Sequence, residues 1–403
     1  MTPPVRDPLA GFDLDALLTN GARVRPQRIA LSDGQLDAPS ALTFADLDAL
    51  VSRTAAAWVA VGAQAGECVL IIAGARTAPL VALLGALRAG LDVALLPEEC
   101  EIATLVHAAN SVNAIALCAE RDAVGRGFTG LMNAGAQIET VRVLAGLGDF
   151  TQAADADGIA PLELIAQQCA TAPRAAVPQG AALNAAAVRK GAIVTFDDAG
   201  AACFHSQRTL AAAALDFITR AGVLARSPIL STLAPARFAG LIAGPIAALV
   251  SGAPLVLHGP FNGAILVALV DSLGPSHLIA PGALLGPLSE SGLLDGPRLA
   301  SVTLMGRCAS PHDMADHPRP LLARPTRGPA LIDLLAIGEQ AAIAQVRQRD
   351  GAPAPIGATT HALSIDGANI TAVSFERNAR SNGAANIVLS GAAVSGAENH
   401  VSG

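Results

Sequence analysis

The chain has 403 residues, which at roughly 150 residues per domain predicts two to three domains with ample core. Only 15% of residues are charged and 52% are hydrophobic, so global disorder is excluded. With a net charge of −7, 3% aromatics, a single Trp and no Tyr, there is no basic groove or stacking platform, and no nucleic-acid partner is expected.

The first residues, MTPPVRDPLAGFDLDALL, lack the basic start and apolar core of a signal peptide. Cys68, Cys100, Cys118, Cys169, Cys203 and Cys308 are widely separated, with no Cys-x-x-Cys pair. That spacing predicts reduced thiols in a cytoplasmic protein rather than a disulfide frame or zinc site. From Leu42 the pattern is helical, because Leu47, Leu50, Val51, Ala55, Trp58 and Val61 recur at three- and four-residue spacings. Asp46 suits the positive end of that helix. Cys68 to Ile72 and Val93 to Leu96 read as strands around a helix from Pro79 to Ala89, and a helix from Glu101 to Asn110 with a strand from Ala114 to Ala119 repeats the unit. Continuously apolar strands imply a parallel sheet covered on both faces.

An Ala- and Pro-rich stretch, Thr171 to Val188, reads as a linker or crossover. Strands are then predicted at Ala192 to Phe196, Ile229 to Thr232, Leu255 to Leu257, His277 to Ile279, Val302 to Leu304 and Ala330 to Ile332, with helices at Thr209 to Arg220 and Ala239 to Ser251. Phe238 to Val270 contains no charged residue, but Gly244-Pro245, Ser251-Gly252-Ala253-Pro254 and His258-Gly259-Pro260 interrupt it. No uninterrupted apolar block reaches the ~20 residues of a membrane span, so a buried core is predicted there. Beyond Ala354 the pattern shortens towards alternation at His361 to Ile365 and Asn386 to Ser390, predicting a small β-rich unit. The expected division is 1–175, 176–353 and 354–403.

Taken in order, several segments resemble the adenylate-forming superfamily of acyl-CoA synthetases, luciferases and adenylation domains. LTFADL (Leu42 to Leu47) is similar to its L-T-Y-x-E-L helix opening, and LRAGLDVALLP (Leu87 to Pro97) to its L-x-A-G-x-x-x-V-P-L-x-P core segment. IVTF (Ile193 to Phe196) and HSQRTL (His205 to Leu210) resemble the two flanks of its phosphate loop. LAPARFAGL (Leu233 to Leu241) resembles the segment with an aromatic-His pair, LLAIGEQ (Leu334 to Gln340) the stretch around Y-G-x-T-E, and NIVLSG (Asn386 to Gly391) the G-E-I-x-x-x-G strand. The resemblance implies an α/β fold like the large N-terminal domain of an acyl-CoA synthetase, with two stacked α/β subdomains and a partial β-rich one.

The same resemblance implies that the catalytic text is degraded. Active members place T-S-G-T-T-G-x-P-K-G between the loop flanks, where backbone N–H groups and a Lys meet the ATP phosphates. Here the span reads Asp197-Asp198-Ala199-Gly200-Ala201-Ala202-Cys203-Phe204 before His205 and Ser206, with two carboxylates and no Lys. Lys190, the only lysine, precedes the strand and does not replace it. The aromatic-His positions hold Ala236 and Arg237. The Y-G-x-T-E positions hold Leu335, Ala336, Gly338 and Glu339, of which Glu339 matches the family's Mg²⁺-associated Glu. The family's C-terminal catalytic domain, with its Lys, is expected to be absent. Asp197, Asp198, Gly200 and Ser206 thus form a degenerate phosphate loop, and Arg237, Gly306, Ala336 and Gly338 line the expected pocket.

The expected function is a non-catalytic or strongly impaired homologue of an acyl-activating enzyme, binding an acyl or aryl group, a carrier protein or another biosynthetic enzyme. No cofactor is expected. The alternative is an ATP-dependent acyl/aryl-CoA or carrier-protein ligase, using ATP and Mg²⁺ through Glu339 and completed by a partner domain. A third reading makes exposed apolar surface a homo-oligomer interface. Other constellations favour structural readings. Cys203 and His205 share a strand face but read as buried rather than nucleophilic. Asp197-Asp198 reads as a solvated turn before a cation site. His312, Asp313, Asp316 and His317 lie in a Pro-flanked loop more readily than in a metal site. Asn369-Ile370-Thr371 matches a glycosylation acceptor that is irrelevant without export.

Overall fold

A computed structural model describes residues 13–34, 41–121, 127–148, 158–169, 191–274, 276–308 and 328–352, together with the backbone of four short strands further on. In chain order the first part contains α1 (Leu14–Val24), β1 (Ile29–Asp33), β2 (Ala41–Thr43), α2 (Phe44–Ala60), β3 (Cys68–Ile72), α3 (Thr77–Arg88), β4 (Asp92–Leu96), α4 (Ile102–Ser111), β5 (Ala116–Glu120), α5 (Phe128–Gly135), β6 (Val143–Leu147), β7 (Ile159–Pro161) and α6 (Leu162–Cys169). There follow β8 (Ile193–Phe196), β9 (Ala202–His205), α7 (Gln207–Ala221), β10 (Ile229–Ser231), α8 (Phe238–Leu241), α9 (Ala247–Ser251), β11 (Leu255–Leu257), α10 (Gly263–Leu273), β12 (Ser276–Pro281), α11 (Leu285–Glu290), β13 (Leu299–Cys308), β14 (Ala330–Ile337) and β15 (Ala341–Val346). Two hairpins, β16 (Leu363–Ile365) with β17 (Ala368–Ile370) and β18 (Val373–Arg377) with β19 (Ala385–Leu389), close the order.

The strands form a seven-stranded sheet, β7-β6-β5-β3-β4-β8-β9, and an eight-stranded one, β15-β14-β13-β12-β10-β11-β1-β2. Each is parallel except at its antiparallel edges, β8–β9 in the first and β14–β15 and β1–β2 in the second. Continuous apolar text made the interior strands parallel: every residue of β3, β4 and β5 is buried. Alternate residues serve opposite faces. Val69 and Ile71 join a core with Trp58, Leu83, Phe217, Phe238, Ile279 and Ile332, whereas Leu70 and Ile72 pack with Leu105, Leu117 and Leu131. The first of these cores takes side chains from both sheets, so the helices between them are buried nearly all round. α3 is the clearest case, with every residue from Pro79 to Leu87 buried.

Local chemistry places the helices. Thr43 Oγ1 accepts from the Asp46 amide at 3.1 Å while Asp46 accepts from the Thr43 amide at 3.3 Å, a reciprocal capping box at the start of α2. Asp33, at the end of β1, accepts from both the amide and the hydroxyl of Thr77 at 2.7 Å and so caps α3 from the other sheet. The helix expected from Ala239 to Ser251 formed, and Gly244-Pro245 within it does not end it. Phe238 to Ser251 runs on through a π turn over Ile242–Ile246 that contains Pro245, and the looser register absorbs the proline's missing N–H. The helix ends instead at Gly252, in the left-handed region at φ +69.

The expected division at residue 175 separates stretches of chain rather than sheets. β8 pairs with β4, so the strand opening the second stretch lies in the first sheet, and β1 pairs with β11, so early chain completes the second. Among the described residues no helix is long and apolar enough to cross a membrane. The described cysteines are free thiols. Lys190 and the His312 to His317 cluster lie outside the described residues, as does Thr371 of the glycosylation triplet, whose Asn369 is in β17.

Candidate active-site cleft

The β8–β9 connection is a tight hairpin. The Asp197 amide bonds Ala201 O at 3.1 Å, and the Gly200 amide bonds Asp197 O at 3.0 Å, with Gly200 at φ +83. One side-chain oxygen of Asp197 accepts from the amides of Ala199 at 2.9 Å and Ala201 at 2.8 Å. The amides of Ala199, Gly200 and Ala201 are therefore all spent inside the turn. Ser206, just beyond, caps α7 by accepting from the Thr209 amide at 3.0 Å. Two expected loop residues, Asp197 and Ser206, thus serve the backbone of their own segment.

Asp198 points the other way. Its Oδ1 lies 2.7 Å from Arg307 Nη2 and 3.7 Å from Arg237 Nη2. Arg237 stands immediately before α8, and a guanidinium N–H of it also donates to Phe196 O. Arg307 projects from β13, in register with Ala336 of β14. Between the two arginines sits Glu339, whose side chain is 2% exposed, in the β14–β15 turn. Its Oε2 accepts from the Phe238 amide at 2.6 Å, and its Oε1 lies 3.4 Å from Arg237 and 3.8 Å from Arg307. Burial raises the Glu339 carboxyl above its ordinary range, against the pull of the Phe238 amide, Arg237, the Thr195 hydroxyl and Arg307.

The Thr195 hydroxyl extends this network, lying 2.8 Å from His205 Nε2. The buried His205 Nδ1 makes no hydrogen bond. Burial lowers His205 to about 4, so it is neutral at physiological pH. The Cys203 thiol is pushed up to about 11, first by burial and then by Asp197 and Glu339, and its polar contact is Ala201 O at 3.9 Å. Cys203 and His205 do not form an activated thiolate pair.

Three segments singled out in the sequence, Asp197-Asp198, Arg237 and Glu339, do meet. Gly306, opposite Leu335, and the buried Ala336 are backbone positions beside Arg307, while Gly338 takes φ +52 and its amide bonds Cys308 O at 3.2 Å. Arg307 and Thr195 were not singled out. Only the strand register, unavailable from one sequence, brings Arg307 to this place. The turn amides are bonded within the hairpin and Glu339 is bonded to the Phe238 amide. Among the described residues no group of three or more His, Cys, Asp or Glu could hold a metal ion.

Residues 18–175 match the family model described as AMP-binding enzyme. No curated protein matches the chain by sequence. The apo structure of Mycobacterium smegmatis MbtA superposes with a TM-score of 0.62 at 20% identity, over 93% of this chain and 66% of that one. An anthranilate CoA ligase in complex with anthranoyl-AMP gives 0.63 at 13%, over 93% and 77%. Streptomyces lividans acetoacetyl-CoA synthetase gives 0.66 at 14%, over 94% and 60%. The chain therefore spans about two thirds of the length of MbtA and less of the acetoacetyl-CoA synthetase. The first part of the chain thus matches the AMP-binding enzyme family model, and nearly the whole chain has the mixed α/β fold of these structures.

Proposed function

We propose that this protein is a non-catalytic or strongly impaired acyl-activating-enzyme homologue that uses the cleft between its sheets to bind an acyl group, a carrier protein or a pathway enzyme. The observation that carries this reading is the self-satisfied β8–β9 turn. Asp197 takes two of the amides on which a phosphate cradle depends, and a third is closed by Asp197 O. Glu339 supports the reading in the same way, since its carboxylate is bonded to the Phe238 amide and flanked by two arginines.

Calorimetry with ATP and Mg²⁺ on the purified protein, alongside Glu339→Gln, tests it. No binding at millimolar ATP and no carboxylate-dependent pyrophosphate exchange are expected. Micromolar binding abolished by Glu339→Gln overturns the reading in favour of an acyl- or aryl-CoA ligase completed by a partner domain.

A further inference from the structure

We infer that Arg237 and Arg307 form a receptor for a small oxyanion, a phosphate or carboxylate group, and that Asp198 is a plug built into the chain that occupies it. The inference rests on the proposed function in one respect, that the turn is closed and offers no other anion contacts. Two guanidinium groups from separate elements converge on a single carboxylate oxygen, at 2.7 and 3.7 Å. Arginine presents several N–H donors in a rigid fork suited to phosphate and carboxylate, and one oxygen of one aspartate leaves most of them unused. Both arginines reach solvent, at 32% and 40% exposure, and Asp198 is 74% exposed, so the plug can leave and a solute can arrive without unfolding.

The arginines are held in place without Asp198. Arg237 is tied to Phe196 O, and the buried Glu339 carboxyl, 3.4 Å from Arg237 and 3.8 Å from Arg307, stays in place when the plug departs. Asp197 fixes the hairpin through its own turn bonds, so Asp198 is the one carboxylate of the pair free to face the arginines. An intramolecular carboxylate competes at high effective concentration, so the open state is a minor one and a ligand's apparent affinity falls by that fraction.

The test is calorimetric titration of wild type, Asp198→Asn, Asp198→Ala and Asp198→Asn/Arg307→Gln with pyrophosphate and, separately, with butyrate. Asp271→Asn, which removes an exposed charge from the distant Arg298 pair, controls for net charge. At least tenfold tighter binding is expected in both Asp198 variants, weakening with added salt and lost in the double variant. A gain with pyrophosphate alone assigns a phosphate ligand, and a gain with butyrate alone a carboxylate. Affinities within twofold of wild type for both probes, an equal gain in Asp271→Asn, or a gain that survives Arg307→Gln overturns the inference. ATP binding by wild type addresses the proposed function separately, because the plug is judged only by the change from wild type to variant.

Discussion

Glu120 closes β5 with 7% of its surface exposed, and burial pushes its carboxyl up to about 8. Arg76, 3.8 Å away, opposes that shift, while Glu98, Asp33 and Glu163 add to it. A carboxyl whose folded pKa lies above the unfolded value of 4.5 leaves stability intact below that pH and erodes it as pH climbs towards 8. Glu120→Gln is therefore expected to flatten the fall in stability between pH 5 and 8 and to gain roughly 1–3 kcal/mol at pH 8. Urea melts of both proteins across that range check this, and parallel pH profiles would contradict it. Nothing in the sequence marked Glu120, because the burial of a strand's final residue depends on what covers the sheet's end. Glu339 was legible through the resemblance of LLAIGEQ to the family's Y-G-x-T-E stretch. Its partner Arg307 was not, since the pairing of β13 with β14 is long-range.

At the scale of elements, alternating and continuous apolar runs were the readable part. The strands expected at residues 68–72, 229–232, 255–257 and 330–332 all formed, because a run buried on both faces admits few other arrangements. The helix expected from Ala239 to Ser251 formed across Pro245, because a fully buried helix can shift to a π turn and continue. The contact between α2 and α3 gives a direct test of packing. A Cβ on Gly85 would meet the Thr54 side chain at 2.7 Å and the Ala55 amide nitrogen at 3.2 Å, and the backbone atom cannot yield. Gly85→Ala is expected to lower stability by about 1–3 kcal/mol, although alanine favours helix at an unconstrained site. A gain in melting temperature would show that the two helices separate more easily than their packing suggests.

For the whole molecule, the interleaving of chain and sheet matters most. A fragment of residues 1–175 holds β1 and β2 without β11, and β4 without β8. It is expected to show no cooperative thermal transition alone and to regain one when co-expressed with residues 176–403. Cooperative unfolding of the fragment on its own would mean that its five parallel strands, β3 to β7, suffice as a folding unit. Sequence segmentation could not foresee this, because composition changes along the chain while sheet order is fixed by pairing across it.

The self-bonded β8–β9 turn also sets a direction on change over evolutionary time. Replacing Asp197 with a small neutral residue removes the acceptor that ties the amides of Ala199 and Ala201 into the turn, and replacing Arg237 strips a cation from the buried Glu339 and a donor from Phe196 O. Each step back towards an open loop lowers stability before any gain in nucleotide contact can accrue. A lineage that reaches this turn is thus held there by a ratchet, and opening it calls for several simultaneous substitutions.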